Sequence, residues 1–256
     1  MPQQAPYKGD SRPLIGICSR PCEGEVDAGR TAINQAYADK IAAAGGLPIG
    51  LPYAEFAADM AHALIARIDG LLLTGGGDMD PSSFGGQVYD ARSHADIDGN
   101  LPLRDSFEAA MAREAWEIDM PTLGICRGSQ MLNVFRGGTL WRDVREQAAD
   151  VDVSRHLMID HFDHPCHRVQ IMEGSRLHEV LGVDELAVNS VHHQCICAPA
   201  PGARISIRAK DSTPEGIEYP QRTFFMGVQW HPEMMDNTPQ LFEAFVRAAR
   251  AFAASR

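Results

Sequence analysis

The stretch Pro121-Thr-Leu-Gly-Ile-Cys126-Arg-Gly-Ser-Gln130-Met-Leu-Asn-Val-Phe-Arg-Gly-Gly138 constrains the fold more than any other part of the chain. Leu123 to Cys126 reads as the end of a short buried strand, and Gln130 to Phe135 carries apolar residues at helical spacing. Between them lies a G-x-C-x-G turn, Gly124 to Gly128, the cysteine form of the strand–turn–helix elbow that lifts a nucleophile above a sheet. The glycines leave room for strand and helix to approach closely. The N–H groups at the helix start favour a thiolate, the reactive form of cysteine. Taken alone, the pentapeptide supports two readings: a nucleophile, or a buried thiol at a tight βα turn.

A second stretch bears on that choice. In Gly227-Val-Gln-Trp-His231-Pro-Glu233 an apolar run, Phe224 to Val228, ends in a histidine and a glutamate two residues apart. A strand end that projects imidazole and carboxylate toward Cys126 supplies a base and the group that orients it.

G-I-C-R-G-x-Q followed by Q-W-H-P-E resembles the triad of the class I glutamine amidotransferase superfamily. Three further stretches are similar to its single-domain γ-glutamyl hydrolase branch, which includes the γ-glutamyl-γ-aminobutyrate and γ-glutamyl-polyamine hydrolases. They are Leu73-Thr-Gly-Gly-Gly-Asp78-Met-Asp-Pro81, Arg104-Asp105-Ser-Phe-Glu108 and Val188-Asn-Ser-Val-His-His-Gln194. The similarity runs in order over about residues 13–250. Met79 and Phe84-Gly85 depart from the commoner β-branched residue and Tyr-Gly, away from the triad.

The resemblance implies an α/β fold: one domain over residues 13–253, with a central, mostly parallel, flavodoxin-like sheet flanked by helices, after a flexible segment 1–12. It implies a Cys126–His231–Glu233 triad. It further implies an oxyanion hole from backbone N–H groups of Gly76, Gly77 and Arg127, and substrate contacts from Gln130, Asn189, Ser190 and His192. Other roles are open to these residues: Gln130 on a helix surface, Asn189-Ser190 in an ordinary turn, His192 or His193 as base. The implied activity is hydrolysis of a small γ-glutamyl amine, in amine and polyamine breakdown. The competing readings are a glutaminase subunit that delivers ammonia to a separate synthetase, and a regulatory module on a degenerate fold.

Composition narrows the partners. A net charge of −11 argues against a general nucleic-acid binder and is compatible with cationic small molecules. The N-terminus has no apolar signal region and no run reaches the length of a membrane span, so a cytoplasmic protein is expected. Six cysteines form neither a disulfide framework nor paired zinc knuckles. Thiol, base and oxyanion donors suffice for the chemistry, so neither cofactor nor metal is expected. A homodimer is compatible with the sequence, which does not fix the oligomeric state.

Along the chain, strands are predicted at 14–18, 47–51, 69–74, 169–172, 187–188, 205–209 and 224–228, with a short extended piece at 139–140. Helices are predicted at 32–44, 55–68, 103–116, 173–182 and 239–253. Glu23, Glu25 and Asp27 form an acidic loop, either simply solvated or in contact with a cationic leaving amine. Arg104 and Asp105 either cap a helix or border the pocket. His156, His161, His164 and His167 with Cys166 match no standard metal spacing.

Overall fold

The computed structural model describes residues 11–22, 29–55, 57–147, 156–158 and 162–256. The acidic loop of Glu23, Glu25 and Asp27, and His161, lie outside them, as does most of the N-terminal segment. Its strands are β1 (Leu14–Cys18), β2 (Arg20–Pro21), β3 (Thr31–Ala32), β4 (Leu47–Leu51), β5 (Gly70–Leu73), β6 (Thr122–Ile125), β7 (Thr139–Trp141), β8 (His167–Ile171), β9 (Glu185–Val188), β10 (Cys195–Ala198), β11 (Arg204–Ala209), β12 (Pro214–Glu218) and β13 (Phe225–Val228). The helices are α1 (Gln35–Ala43), α2 (Ala57–Ile65), α3 (Pro102–Glu117), α4 (Arg127–Val134), α5 (Arg176–Leu181) and α6 (Pro239–Ala254).

Among the described residues nine strands form one mixed sheet in the order β4-β1-β5-β6-β13-β12-β11-β8-β9. The first five are mutually parallel and follow the 2-1-3-4-5 order of flavodoxin-like sheets. The remaining ladders, from β13–β12 to β8–β9, are antiparallel. Helices cover both faces. Ala61 and Ile65 of α2, Phe107 and Met111 of α3 and Met131 of α4 pack on one. Tyr37 and Ile41 of α1, Leu177 of α5 and Phe242 and Phe245 of α6 pack on the other. Each such buried aliphatic or aromatic side chain contributes about 1.5–3 kcal/mol.

The helices start where the sequence supplies a start. Asn34 caps α1 by accepting from the Ala36 N–H at 3.0 Å, and Pro239 opens α6 at a position whose N–H has no helical partner. α3 is unusual because its buried face holds Arg104, Asp105 and Glu108 beside Phe107 and Met111. Strands β10 and β12 were not predicted. Pro214-Glu-Gly-Ile-Glu218 has the composition of a turn, yet all five residues are buried in the sheet. There Glu218 pairs with Arg204. No helix among the described residues is long and apolar enough to cross a membrane.

Candidate active site

Three parallel neighbours deliver the site from their carboxyl ends: β5 runs into Gly75, β6 into Cys126 and β13 into Gln229 to His231. The turn between β6 and α4 is as tight as its glycines suggest. A Cβ at Gly124 would stand 2.5 Å from the Gly128 carbonyl oxygen, and one at Gly128 would collide with that of Leu73. Cys126 itself sits at φ 52°, ψ −111°, a strained conformation for a residue with a side chain. Its N–H is fixed by the Val228 carbonyl at 2.8 Å, which ties the turn to β13. The N–H groups of Arg127 and Gly128 open α4 and have no acceptor within the helix.

His231 Nδ1 lies 2.7 Å from Glu233 Oε1, and the Cys126 sulfur is near enough to act on the charge of the imidazole. Burial disfavours the charged imidazole. The Glu233 carboxylate and the Cys126 sulfur outweigh that cost, and the His231 pKa rises well above the ordinary 6.5. The structure thus brings Cys126, His231 and Glu233 together.

The loop after β5 is held from both sides. Arg104 donates to the carbonyls of Gly75 at 2.9 Å and Thr74 at 3.3 Å, and the Gly75 N–H donates to the Tyr37 hydroxyl at 3.2 Å. Because a trans peptide points its C=O and N–H in opposite directions, the Gly75–Arg104 bond turns the Gly76 N–H away from Arg104. Arg104 is itself held by Glu108 at 2.7 Å, while the Arg127 guanidinium bridges Asp105 and Glu108. Burial would lower the Arg127 pKa, but the two carboxylates raise it. The Arg104–Asp105 pair therefore belongs to a buried network directly behind the elbow and the glycine loop.

The other expected site residues divide. Gln130 borders the site and donates to Gln194 O at 3.2 Å and Gln229 Oε1 at 3.1 Å. Asn189 lines neither of the two cavities that meet at Cys126. Its amide clamps the His231 backbone, accepting from the N–H and donating to the C=O at 2.9 Å each, and it also bonds Phe162 O. Ser190 Oγ donates to His156 O at 3.1 Å. His192 borders a cavity, but its ring nitrogens face Gln194 O and His156. His193 pairs with Asp78 at 2.9 Å, which raises its pKa, while it is His231 that pairs with Glu233. Sequence reasoning missed Tyr37, Gly75 and Gln229, whose amide lies 3.6 Å from the Cys126 sulfur. Gln229 carried a signal: it directly follows β13 and stands two residues before His231.

Two cavities meet at Cys126. One, of about 240 Å³, is lined by Gly76, Gly77, Asp78, Gln130 and residues 191–194. The other, of about 350 Å³, is lined by Arg20, Asn34, Tyr37, Phe162, His231 and Met234. Cys126, Gly76 and Val191 border both.

Residues 13–233 match the Peptidase C26 family. The γ-glutamyl-γ-aminobutyrate hydrolase PuuD of Escherichia coli (strain K12) is 31% identical over 248 residues, covering 94% of each chain. Protein NtpR of Enterococcus hirae, whose name states no activity, is 33% identical over 92% of this chain and 98% of its own. Among solved structures, the glutaminase domain of Trypanosoma brucei CTPS with bound acivicin aligns with a TM-score of 0.57 at 18% identity, covering 92% and 93% of the two chains. That likeness concerns the fold alone.

Proposed function

We propose that this chain, which belongs to the Peptidase C26 family, is a cysteine hydrolase that cleaves the γ-glutamyl amide bond of a small γ-glutamyl amine. The observation that carries the reading is the placement of Cys126 where two cavities meet, with His231 and Glu233 on one side. The smaller cavity takes the glutamyl end, bordered by Gln130 and His192. The larger takes the amine, next to the imidazole that protonates it. The likeness to PuuD supports this substrate class.

In this mechanism Cys126 attacks the γ-carbonyl as its proton passes to His231. Glu233 orients the imidazole and stabilises its charged form. Backbone N–H groups of Gly76, Gly77 and Arg127 donate to the tetrahedral oxyanion. The intermediate collapses as His231 protonates the departing amine. Water, deprotonated by His231, then hydrolyses the glutamyl thioester and frees glutamate and the thiol.

The test is glutamate release by purified protein from a panel of γ-glutamyl amines: the γ-aminobutyrate, putrescine and spermidine amides, with glutamine as control and Cys126→Ser as blank. Turnover of an amide without any added protein is expected. Glutaminase activity that appears only with a synthetase partner would instead identify an ammonia-delivering subunit.

A further inference from the structure

Beside the smaller cavity, and apart from the triad, His156 is fully buried among charged and polar side chains from other segments. Its Nε2 lies 2.8 Å from the carboxylate of Asp211, in the turn between β11 and β12. Its Nδ1 lies 3.5 Å from Oε1 of Glu215 in β12 and 3.3 Å from Nε2 of His192. The outer contact of His192 decides where that ring keeps its hydrogen. Its Nδ1 lies 2.9 Å from the Gln194 carbonyl oxygen, which can only accept, so in the neutral ring Nδ1 carries the hydrogen and Nε2 a lone pair. Both nitrogens of His156 therefore face acceptors, and each needs a proton. His156 is an imidazolium.

The surroundings favour that charge. Burial would lower the His156 pKa, but Glu215 first and Asp211 second outweigh it and raise it from the ordinary 6.5. Burial would also raise the Glu215 pKa, yet His156 and His192 hold it below the usual carboxylate range. Neither Glu215 oxygen has a hydrogen-bond partner among the described residues, so this carboxylate depends on neighbouring charge. His167 of β8, whose Nε2 lies 3.4 Å from the same Glu215 oxygen, goes the other way. Burial lowers its pKa despite Glu215, and the His156 charge adds to that.

The backbone of the same residue holds the cavity wall. The His156 carbonyl accepts from the His192 N–H at 2.7 Å and from Ser190 Oγ at 3.1 Å. The Ser190 carbonyl accepts from the Met158 N–H at 3.0 Å, and Leu157 pairs with Val191 in an antiparallel bridge. Leu157, Val191 and His192 border the smaller cavity, and the Gln194 carbonyl that orients His192 also accepts from the Gln130 amide. We propose that His156 is a positioning residue for the glutamyl end of the substrate: as a buried imidazolium between Asp211 and Glu215 it pins residues 156–158 and 190–194 as one wall of the smaller cavity. The proposal rests on the assignment of that cavity to the glutamyl group.

Magnetic resonance of the full chain with isotopically labelled histidine tests the charge. The ring signals that His156→Gln lacks and Asp211→Asn shifts belong to His156. Both nitrogens should be protonated at neutral pH, and the proton should be lost above the usual histidine range in the wild type and at lower pH in Asp211→Asn. A ring that is neutral at neutral pH would overturn the proposal. In His156→Gln, amide hydrogen exchange at Met158 and His192 should quicken. KM for a γ-glutamyl amide that the wild type cleaves should rise about three- to tenfold, the loss of roughly one hydrogen bond, with a smaller change in kcat. Should His156→Gln fail to fold, Asp211→Asn, at a partly exposed turn residue, should move KM and exchange in the same direction. An unchanged KM in the folded variant, or a loss confined to kcat, would sink the positioning role. If the wild type cleaves no γ-glutamyl amide, the hydrolase reading fails by itself, and unaltered exchange rates in the variant would then show that His156 does not hold the wall.

Discussion

The face of Gly75 that lacks a side chain is where the His231 imidazole sits: a Cβ there would stand 2.8 Å from His231 Cε1 and 3.6 Å from Cys126 Cβ. The glycine loop after β5 thus makes room for the proposed base as well as offering backbone donors. Gly75→Ala should displace the imidazole with little effect on the rest of the fold. A misplacement on the order of 1 Å costs about 100-fold in rate. Steady-state kinetics should show kcat falling by roughly that factor with a nearly unchanged thermal midpoint. Wild-type kcat in Gly75→Ala would mean that His231 does not act from this position.

Cys126 holds a positive φ that favours glycine, at a cost of about 1–3 kcal/mol. Removing the thiol should abolish glutamate release in both Cys126→Ala and Cys126→Gly. Their stabilities should differ in an unusual sense. At most buried positions glycine is less stable than alanine, whereas here Cys126→Gly should unfold at the same or higher denaturant concentration. A clear deficit for the glycine variant would show that the turn is not strained.

The His231 pKa is raised, against the effect of burial, by Glu233 first and the Cys126 sulfur second. Imidazolium is the form that protonates the leaving amine, so kcat/KM should persist above the usual histidine range and decline as His231 loses its proton. Glu233→Gln removes the carboxylate charge, lowers that pKa, and moves the alkaline limb of the profile to lower pH. Turnover should fall roughly tenfold or more, and less than in His231→Ala. An alkaline limb that stays in place in Glu233→Gln would separate the carboxylate from the titration of His231.

Arg104 connects α3 to the carbonyls of Thr74 and Gly75, and Glu108 connects it to Arg127 at the head of α4. Arg104→Lys retains the charge but loses the planar fork that reaches both carbonyls and Glu108. The expected result is a loss of about 10- to 100-fold in kcat with a small change in KM, because the Gly76 N–H matters most in the transition state. Equal losses through KM alone would assign Arg104 to binding instead.

The elbow and the His231–Glu233 pair were legible because each is a local pattern. Five residues specify the turn around Cys126, and the short segment after β13 carries Gln229, His231 and Glu233 close together in sequence. The remaining contacts depend on segments that come together only in the fold. Tyr37 read as one more apolar position of α1, yet its hydroxyl reaches the Gly75 N–H. Burial and then the Glu233 carboxylate push its pKa well above 10.0. Asn189 looked like a turn residue facing substrate, and instead secures His231 by its backbone. β12 was hidden because buried Glu215 and Glu218 give a core strand the composition of a loop. Half of the sheet is antiparallel for the same reason: short strands of mixed polarity carry little periodic signal.

The leaving-group side yields the last prediction. The sequence directed attention to the acidic loop of Glu23, Glu25 and Asp27, which would favour cationic amines. That loop lies outside the described residues; among the described ones, Arg20 lines the larger cavity together with Asn34, Tyr37 and Phe162. A guanidinium there favours an amine that ends in a carboxylate, as γ-aminobutyrate does, over putrescine or spermidine. Arg20 is partly exposed, so solvent screens the effect to about 1 kcal/mol or less, worth at most a preference of roughly fivefold that shrinks with salt. Arg20→Gln should therefore lower kcat/KM for the γ-aminobutyrate amide and spare or raise it for the putrescine amide, when both are measured at low ionic strength. If the ratio of the two is unchanged in Arg20→Gln, the amine is chosen elsewhere. A shift toward the γ-aminobutyrate amide would equally show that Arg20 does not attract that carboxylate.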